Sequence, residues 1–301
     1  MRVLLDAGAS VDATFSDHAD DCTDNGFPRP QGYVMNLTAI ANDEPGLVSA
    51  MIDAVKSRFA RNLLVIGVSG DITSAELEPL LDQAFGALPA RKDLPSIPEV
   101  EPDFRGNTYV VDLDVPQSAI LFGQRGLRRD DPHWYTGLVM NYILGGGGFS
   151  SRLYREVREK RGLAYSVGTD LHPMRLTALI SGGAGTNNEN VAESLKIIQT
   201  EWRRMRFDGV TEQELSQAKS YLTGSFPLRL SSTDRIARML VSIQYHDLGI
   251  DYIDRRASYI KAVTRDDIAK LARELIDPEG LTFVIVGKPK AVKATAPAPQ
   301  I

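Results

Sequence analysis

Four consecutive glycines, Gly145 to Gly148, sit inside the stretch LGGGGFSSRLYREVREKRGLAYSV at residues 144–167. Glycine loses more backbone entropy on ordering than any other residue, so such a run makes poor helix or strand interior. It must end the apolar helix expected over HWYTGLVMNYILG and turn the chain where backbone can approach closely. Phe149 and Ser150 follow, then a strongly charged helix, FSSRLYREVREKRG, which Gly162 breaks into a strand, AYSVGTDLHP. A glycine run ahead of a helix also suggests a phosphate cradle. Here no Gly-Lys-Ser/Thr follows, and no G-x-G-x-x-G with its later acid. The cations Arg152, Arg155, Arg158, Lys160 and Arg161 fit a solvated helix face.

The pattern on either side alternates helices with strands. Leu47, Met51, Ile52, Val55 and Phe59 fall on one face of a helix over residues 47–60. NLLVIGVSGD is a continuous apolar run closed by Gly and Asp, the pattern of a buried strand. Thr73 and Glu76 then form a capping box that opens the helix AELEPLLDQAFGAL. Residues 89–106 hold four prolines among charges and are the clearest linker in the chain. Beyond them come strands over TYVVDLDV, QSAILFGQRG and LTALISGGAG. A long helix, NENVAESLKIIQTEWRRMRFDG, is expected to be capped by Asn188 or Asn190, and a second capping box, Thr211 with Glu214, opens the next. Helices over SSTDRIARMLVSIQYHDLG, DYIDRRASYIKAV and TRDDIAKLARELI lead to a last strand, LTFVIVGKP. Residues 1–36 carry little periodicity and many loop formers, and 289–301 have the Ala, Pro and Lys bias of a disordered tail.

Composition narrows the function classes. The chain has 301 residues, is 43% hydrophobic and 24% charged, and has a net charge of −5. That acidic balance argues against nucleic acid as a partner. Cys22 is the only cysteine, so the chain forms no internal disulfide and no thiolate zinc site. No run of about 18 apolar residues is present to span a membrane as a helix. The N-terminal stretch MRVLLDAGASVDATFSDHADD does not have the pattern of a signal peptide. The compartment is left open between periplasm and cytoplasm.

Two segments match in kind. A helix leads into NLLVIGVSGD near the start, and another leads into LTFVIVGKP near the end, each strand stopping at a glycine, Gly70 or Gly287. Recurrent helix–strand pairs occur in any α/β chain, so this pattern alone leaves duplication undecided. If the pairs close duplicated domains, the domains should be of similar length. The second copy runs from about Asn107 to Gly287, roughly 180 residues, whereas the first closes after 70, so about 110 residues of a first copy would be absent.

The block at 144–167 closely resembles the signature of the C-terminal domain in the pitrilysin/insulinase family of zinc peptidases, including its mitochondrial processing peptidase branch. ARNLLVIGVSGDIT, VPQSAILFGQRGL and SSTDRIARMLVSIQYHDLGIDYIDRR fit too, and the resemblance covers roughly residues 37–288. It implies an α+β fold of duplicated metallopeptidase-like domains, each an antiparallel-rich sheet with helices packed on one face, with the first copy incomplete. The expected organisation is an incomplete first domain at 1–88, a linker at 89–106, a complete C-terminal domain at 107–288 and a tail at 289–301. The family's zinc sits on an H-x-x-E-H helix in the first domain. Two imidazoles and a carboxylate hold the metal, and the first Glu activates water. The four histidines here, His18, His133, His172 and His246, form no H-x-x-E-H or H-E-x-x-H motif. No metal ligand is therefore assigned to this chain, and zinc is expected in a catalytic partner.

The resemblance further implies that Arg158 and Tyr165, seven residues apart in REKRGLAY, face substrate near that zinc. A guanidinium can hold a peptide carbonyl and a phenol can stabilise an oxyanion. Read without the resemblance, Arg158 is a surface helix charge and Tyr165 an edge-strand aromatic. Gly145, Gly146, Gly147, Gly148, Phe149 and Ser150 are expected to line the same chamber, and His172 is given no role. The expected function is a non-catalytic subunit that binds peptide or unfolded protein and supplies Arg158 and Tyr165 to a zinc-bearing relative as heterodimer partner. A truncated product of a longer family member is a second reading. A scaffold subunit with no part in proteolysis is a third, and a self-sufficient metallopeptidase is the remaining alternative.

Overall fold

Burial alternates along ALISGGAGTN and along the first half of QSAILFGQR, whose second half is buried on both faces, and these two strands pair within a five-stranded sheet. The computed structural model describes residues 64–89, 98–174 and 176–298. The loop-rich 1–36 and the helix expected over 47–60 lie outside them. The chain divides into two compact units, Met1–Ser96 with Ser225–Asp254, and Ile97–Gly224 with Arg255–Ile301.

In the first unit, α1 (Ser74–Phe85) starts on the expected capping box. Thr73 Oγ1 accepts from the Glu76 amide, and the Glu76 carboxylate accepts from the Thr73 amide at 2.8 Å. Leu77, Phe85 and Leu88 cluster with Ile66 and Val68. The part of NLLVIGVSGD that is described, from Leu64, has the burial of a strand but not its ladder: no strand pairs with it among the described residues. A strand is defined by its neighbour, and an apolar run specifies burial without specifying that neighbour. Instead the Gln244 side chain of α5 (Thr233–Tyr245) donates to the Ile66 carbonyl at 3.3 Å. Thus Ser225–Asp254, which falls inside the stretch 107–288 read from sequence as one domain, is grouped with the first unit.

The second unit holds the sheet, in the order β1-β5-β2-β4-β3. Its strands are β1 (Thr108–Asp112), β2 (Gln117–Arg125), β3 (Ala164–Pro173), β4 (Ala178–Asn187) and β5 (Thr282–Gly287). Only β1 and β5 are parallel, so the sheet is antiparallel-rich and the unit is α+β, as expected. The helices are α2 (Trp134–Asn141), α3 (Val191–Asp208), α4 (Glu212–Gly224), α6 (Tyr252–Ala262), which begins at the boundary of the two units, and α7 (Arg265–Leu275). Trp202 of α3 is fully buried and meets Phe122 of β2 edge to face at 5.6 Å. Its indole N–H would be costly to bury unpaired, and Gln124 Oε1 accepts from it at 2.6 Å. The same Gln124 donates to the Leu275 carbonyl at 2.7 Å, which ties α7 to the sheet.

Two expectations change in detail. Asn190 stands at the N-cap of α3 but makes no capping side-chain bond, and Asn188 instead bonds Ser118 and the Val115 carbonyl. Within the expected tail, the described residues 289–298 meet the outer edge of β1: the Thr295 amide donates to the Thr108 carbonyl at 2.8 Å, and Val292 packs against the core. β3 is left as the edge strand with no further neighbour among the described residues.

Candidate functional site

The site begins where α2 loses its regular turn. From Tyr142 to Gly146 the helix widens to a π-helical turn, a form that occurs mostly as single turns near functional sites. Asn141, buried in the last regular turn, fixes this feature to β3. Its Oδ1 accepts from the Thr169 hydroxyl at 2.8 Å and its Nδ2 donates to the Thr169 carbonyl at 3.2 Å. Gly145 lies directly against that threonine. A Cβ there would sit 2.4 Å from Thr169 Oγ1, so only glycine permits the approach. Gly148 turns the chain out through a positive φ of 52°, followed by a single 3-10 turn, Gly148–Ser150. Gly145 is thus buried, while Gly146, Gly148, Phe149 and Ser150 are exposed.

The charged segment after the glycines is helical, with π-type spacing over Tyr154–Glu159. Arg152 points inward. It donates two bonds to Glu214, at 2.7 and 2.8 Å, and one to the Gly209 carbonyl at 2.7 Å. Its Nη1 is buried without a partner among the described residues. Burial would raise the Glu214 pKa, but Arg152 and the Thr211 amide and hydroxyl outweigh it and hold the carboxyl at about 2. Glu156 repeats the pattern. Burial opposes its charge, yet Lys160 at 2.7 Å and Arg161 at 2.9 Å keep its pKa below the ordinary value. Arg155 lies 3.9 Å from both acids.

Arg158 differs from these four cations. It forms no ion pair among the described residues, and its one protein acceptor there is the Tyr154 hydroxyl. Its guanidinium lies 4.8 Å from the Tyr154 ring centroid, 4.9 Å from Tyr165 and 5.8 Å from Phe149. Cation–π attraction favours such a position. Tyr165 reaches it because β3 bulges: Ala164 pairs with Thr186 and Ser166 with Gly185, so Tyr165 is the extra residue. A bulge disrupts the ladder locally and re-aims one side chain, here left 81% exposed. Phe149 is 73% exposed and packs on Tyr154 at 4.6 Å. Next to them Tyr142 stacks on Tyr221 at 5.2 Å, its pKa raised by burial despite a hydrogen bond with Ser150.

The structure therefore brings Arg158, Tyr165 and Phe149 together and turns Ser150 toward Tyr142. Sequence reasoning missed Tyr154, although its place four residues before Arg158 puts both on one helix face. It also missed the tyrosine pair, which joins residues far apart in the chain. No cluster of three or more metal-ligating side chains exists among the described residues. His133 precedes α2, His172 lies on β3 and His246 ends α5. These residues do not fit the family's zinc.

Residues 48–222 match the peptidase M16 inactive domain. The chain belongs to that family. Among curated relatives it is 30% identical to an uncharacterized zinc protease of Streptomyces coelicolor, over 71% of this chain and 48% of the relative. It is 27% identical to the non-peptidase homolog YmxG of Helicobacter pylori, over 80% of this chain and 57% of the relative. The M16 inactive-domain structure from Pseudomonas fluorescens superposes with a TM-score of 0.65 at 28% identity, covering 75% of this chain and 53% of the other. A Helicobacter pylori protease with a TM-score of 0.62 at 20% identity, covering 72% of this chain and 53% of the other, shares the fold. The chain spans about half the length of the relatives it matches.

Proposed function

We propose that this chain is a non-catalytic M16 member that binds peptide and presents Arg158 and Tyr165 to substrate held by a zinc-bearing relative. The observation that carries this reading is the contrast along one helix. Arg152, Arg155, Lys160 and Arg161 each have a carboxylate within ion-pair distance, whereas Arg158 faces aromatic rings and has none among the described residues. A guanidinium without an ion pair beside the exposed Phe149 and Tyr165 rings suits an external oxygen acceptor on a peptide. The Tyr165 hydroxyl, carried out by the bulge, suits donation to the oxyanion that forms as a peptide carbonyl is attacked. The zinc-bearing partner would supply the activated water.

The test is reconstitution. Mixing the purified chain with a zinc-bearing M16 relative from the same genome should produce peptidase activity that neither shows alone. Tyr165→Phe should lower kcat of the mixture by about 100- to 1000-fold, the range for loss of one oxyanion donor, and Arg158→Ala should lower kcat/KM by about 10- to 100-fold, the value of one hydrogen bond to a charged group. Unchanged activity in both variants rules out the role in trans.

A further inference from the structure

We infer that the Arg158 site selects a carboxylate, carried on a peptide beside a large apolar side chain, over the neutral carbonyls of a peptide interior. The inference rests on the peptide-binding reading and names its ligand class. It starts from charge. Five cations lie between Arg152 and Arg161; Glu214 takes Arg152 in a two-bond fork, and Glu156 takes Lys160 and Arg161. Arg155 shares both acids at 3.9 Å. Two carboxylates thus serve four cations, the exposed Glu159 makes no ion pair with any of the five, and Arg158 receives none among the described residues. A neutral carbonyl would leave that excess in place, whereas an anion would relieve it.

Shape narrows the anion. The Tyr154, Tyr165 and Phe149 rings stand 4.8 to 5.8 Å from the guanidinium carbon and flank it. Partial removal of water strengthens a charged hydrogen bond. A guanidinium presents parallel N–H groups that match the two oxygens of a planar carboxylate. Phe149 and Tyr165 are 73% and 81% exposed, a large apolar surface beside one charge. A peptide whose carboxylate and apolar side chain are adjacent fills both parts at once. Two sources offer that pairing: the α-carboxylate of a C-terminal aromatic residue, and an aspartate next to an aromatic one.

Fluorescence anisotropy with the full chain tests this using three labelled peptides of equal length. One ends in Phe with a free carboxylate, one is its C-terminal amide, and one is an amide containing internal Asp-Phe. At least one carboxylate peptide should bind about tenfold or more tightly than the plain amide, the value of one charged hydrogen bond. The free acid identifies the C-terminal source and the Asp-Phe amide the internal one. Arg158→Gln should erase the preference, and Lys160→Gln, in which the exchanged residue has its own acid, should keep it. Phe149→Ala should weaken the Phe-ending acid but not an otherwise identical acid ending in Ala. Thermal unfolding of each variant, unchanged from the parent, confirms that binding rather than folding is read. Equal binding of all three peptides, weakened by Arg158→Gln, overturns the carboxylate preference and leaves the peptide reading standing. Absence of binding by all three overturns both.

Discussion

The Arg152–Glu214 pair shows why a cation next to the site is not part of it. Both side chains are largely withdrawn from water, 3% and 16% exposed, so neither charge is tolerated without the other. Arg152→Met should therefore cost about 3–5 kcal/mol in urea unfolding, because it leaves the Glu214 carboxylate without its two-bond partner. Arg152→Met combined with Glu214→Leu should cost less than the single change, since no charge is stranded. The same pair sets a pH window. Glu214 has its folded pKa depressed from an ordinary 4.5 to about 2. A depressed carboxyl contributes stability above its unfolded pKa and loses it as pH falls through the folded one. The loss should therefore run between about pH 4.5 and 2 and amount to roughly 3 kcal/mol, and Glu214→Gln should flatten that limb of the stability profile. A limb of the same size in Glu214→Gln assigns it to another group.

At the scale of elements, the glycine turn acts as a spacer between α2 and β3. Its position depends on Gly145 lying against Thr169. Gly145→Ala should push the turn from the strand and cost about 1–3 kcal/mol by overpacking. It should also weaken peptide binding, because Phe149 is carried four residues further on the same turn. Gly148→Ala meets open space and has only its backbone conformation to strain, so it should cost about 1–2 kcal/mol. Chemical unfolding together with the anisotropy assay separates the two effects. The elements themselves were legible in the sequence where local signals decide them: the capping boxes at Thr73 and Thr211, the strands flanking the glycine run, and the turn itself. The bulge at Tyr165 and the π-helical turns were not. Each adds a residue to a regular repeat, and that choice is made by the partner strand or the facing threonine rather than by neighbours in sequence. For the same reason the apolar run before Asp71 announced burial but not the absence of a described ladder partner.

On the scale of the whole molecule, membership of the M16 inactive-domain family and the absence of H-x-x-E-H bear on one question, whether this chain can hold metal at all. The four histidines are His18, His133, His172 and His246, and none stands four residues from another. A helical zinc site needs two imidazoles on one face plus a carboxylate, and affinity falls steeply when only isolated ligands remain. Elemental analysis of the purified chain should therefore find far less than one zinc per chain. A chelator should leave both the unfolding temperature and peptide affinity unchanged, because metal that binds only the folded state would otherwise add to stability. The reconstituted mixture should behave differently. Chelator should abolish its activity while this chain alone still binds peptide. Stoichiometric zinc in the isolated chain, together with chelator-sensitive activity, overturns the non-catalytic reading. The Arg158 aromatic site would then belong to a self-sufficient peptidase rather than to a subunit acting in trans.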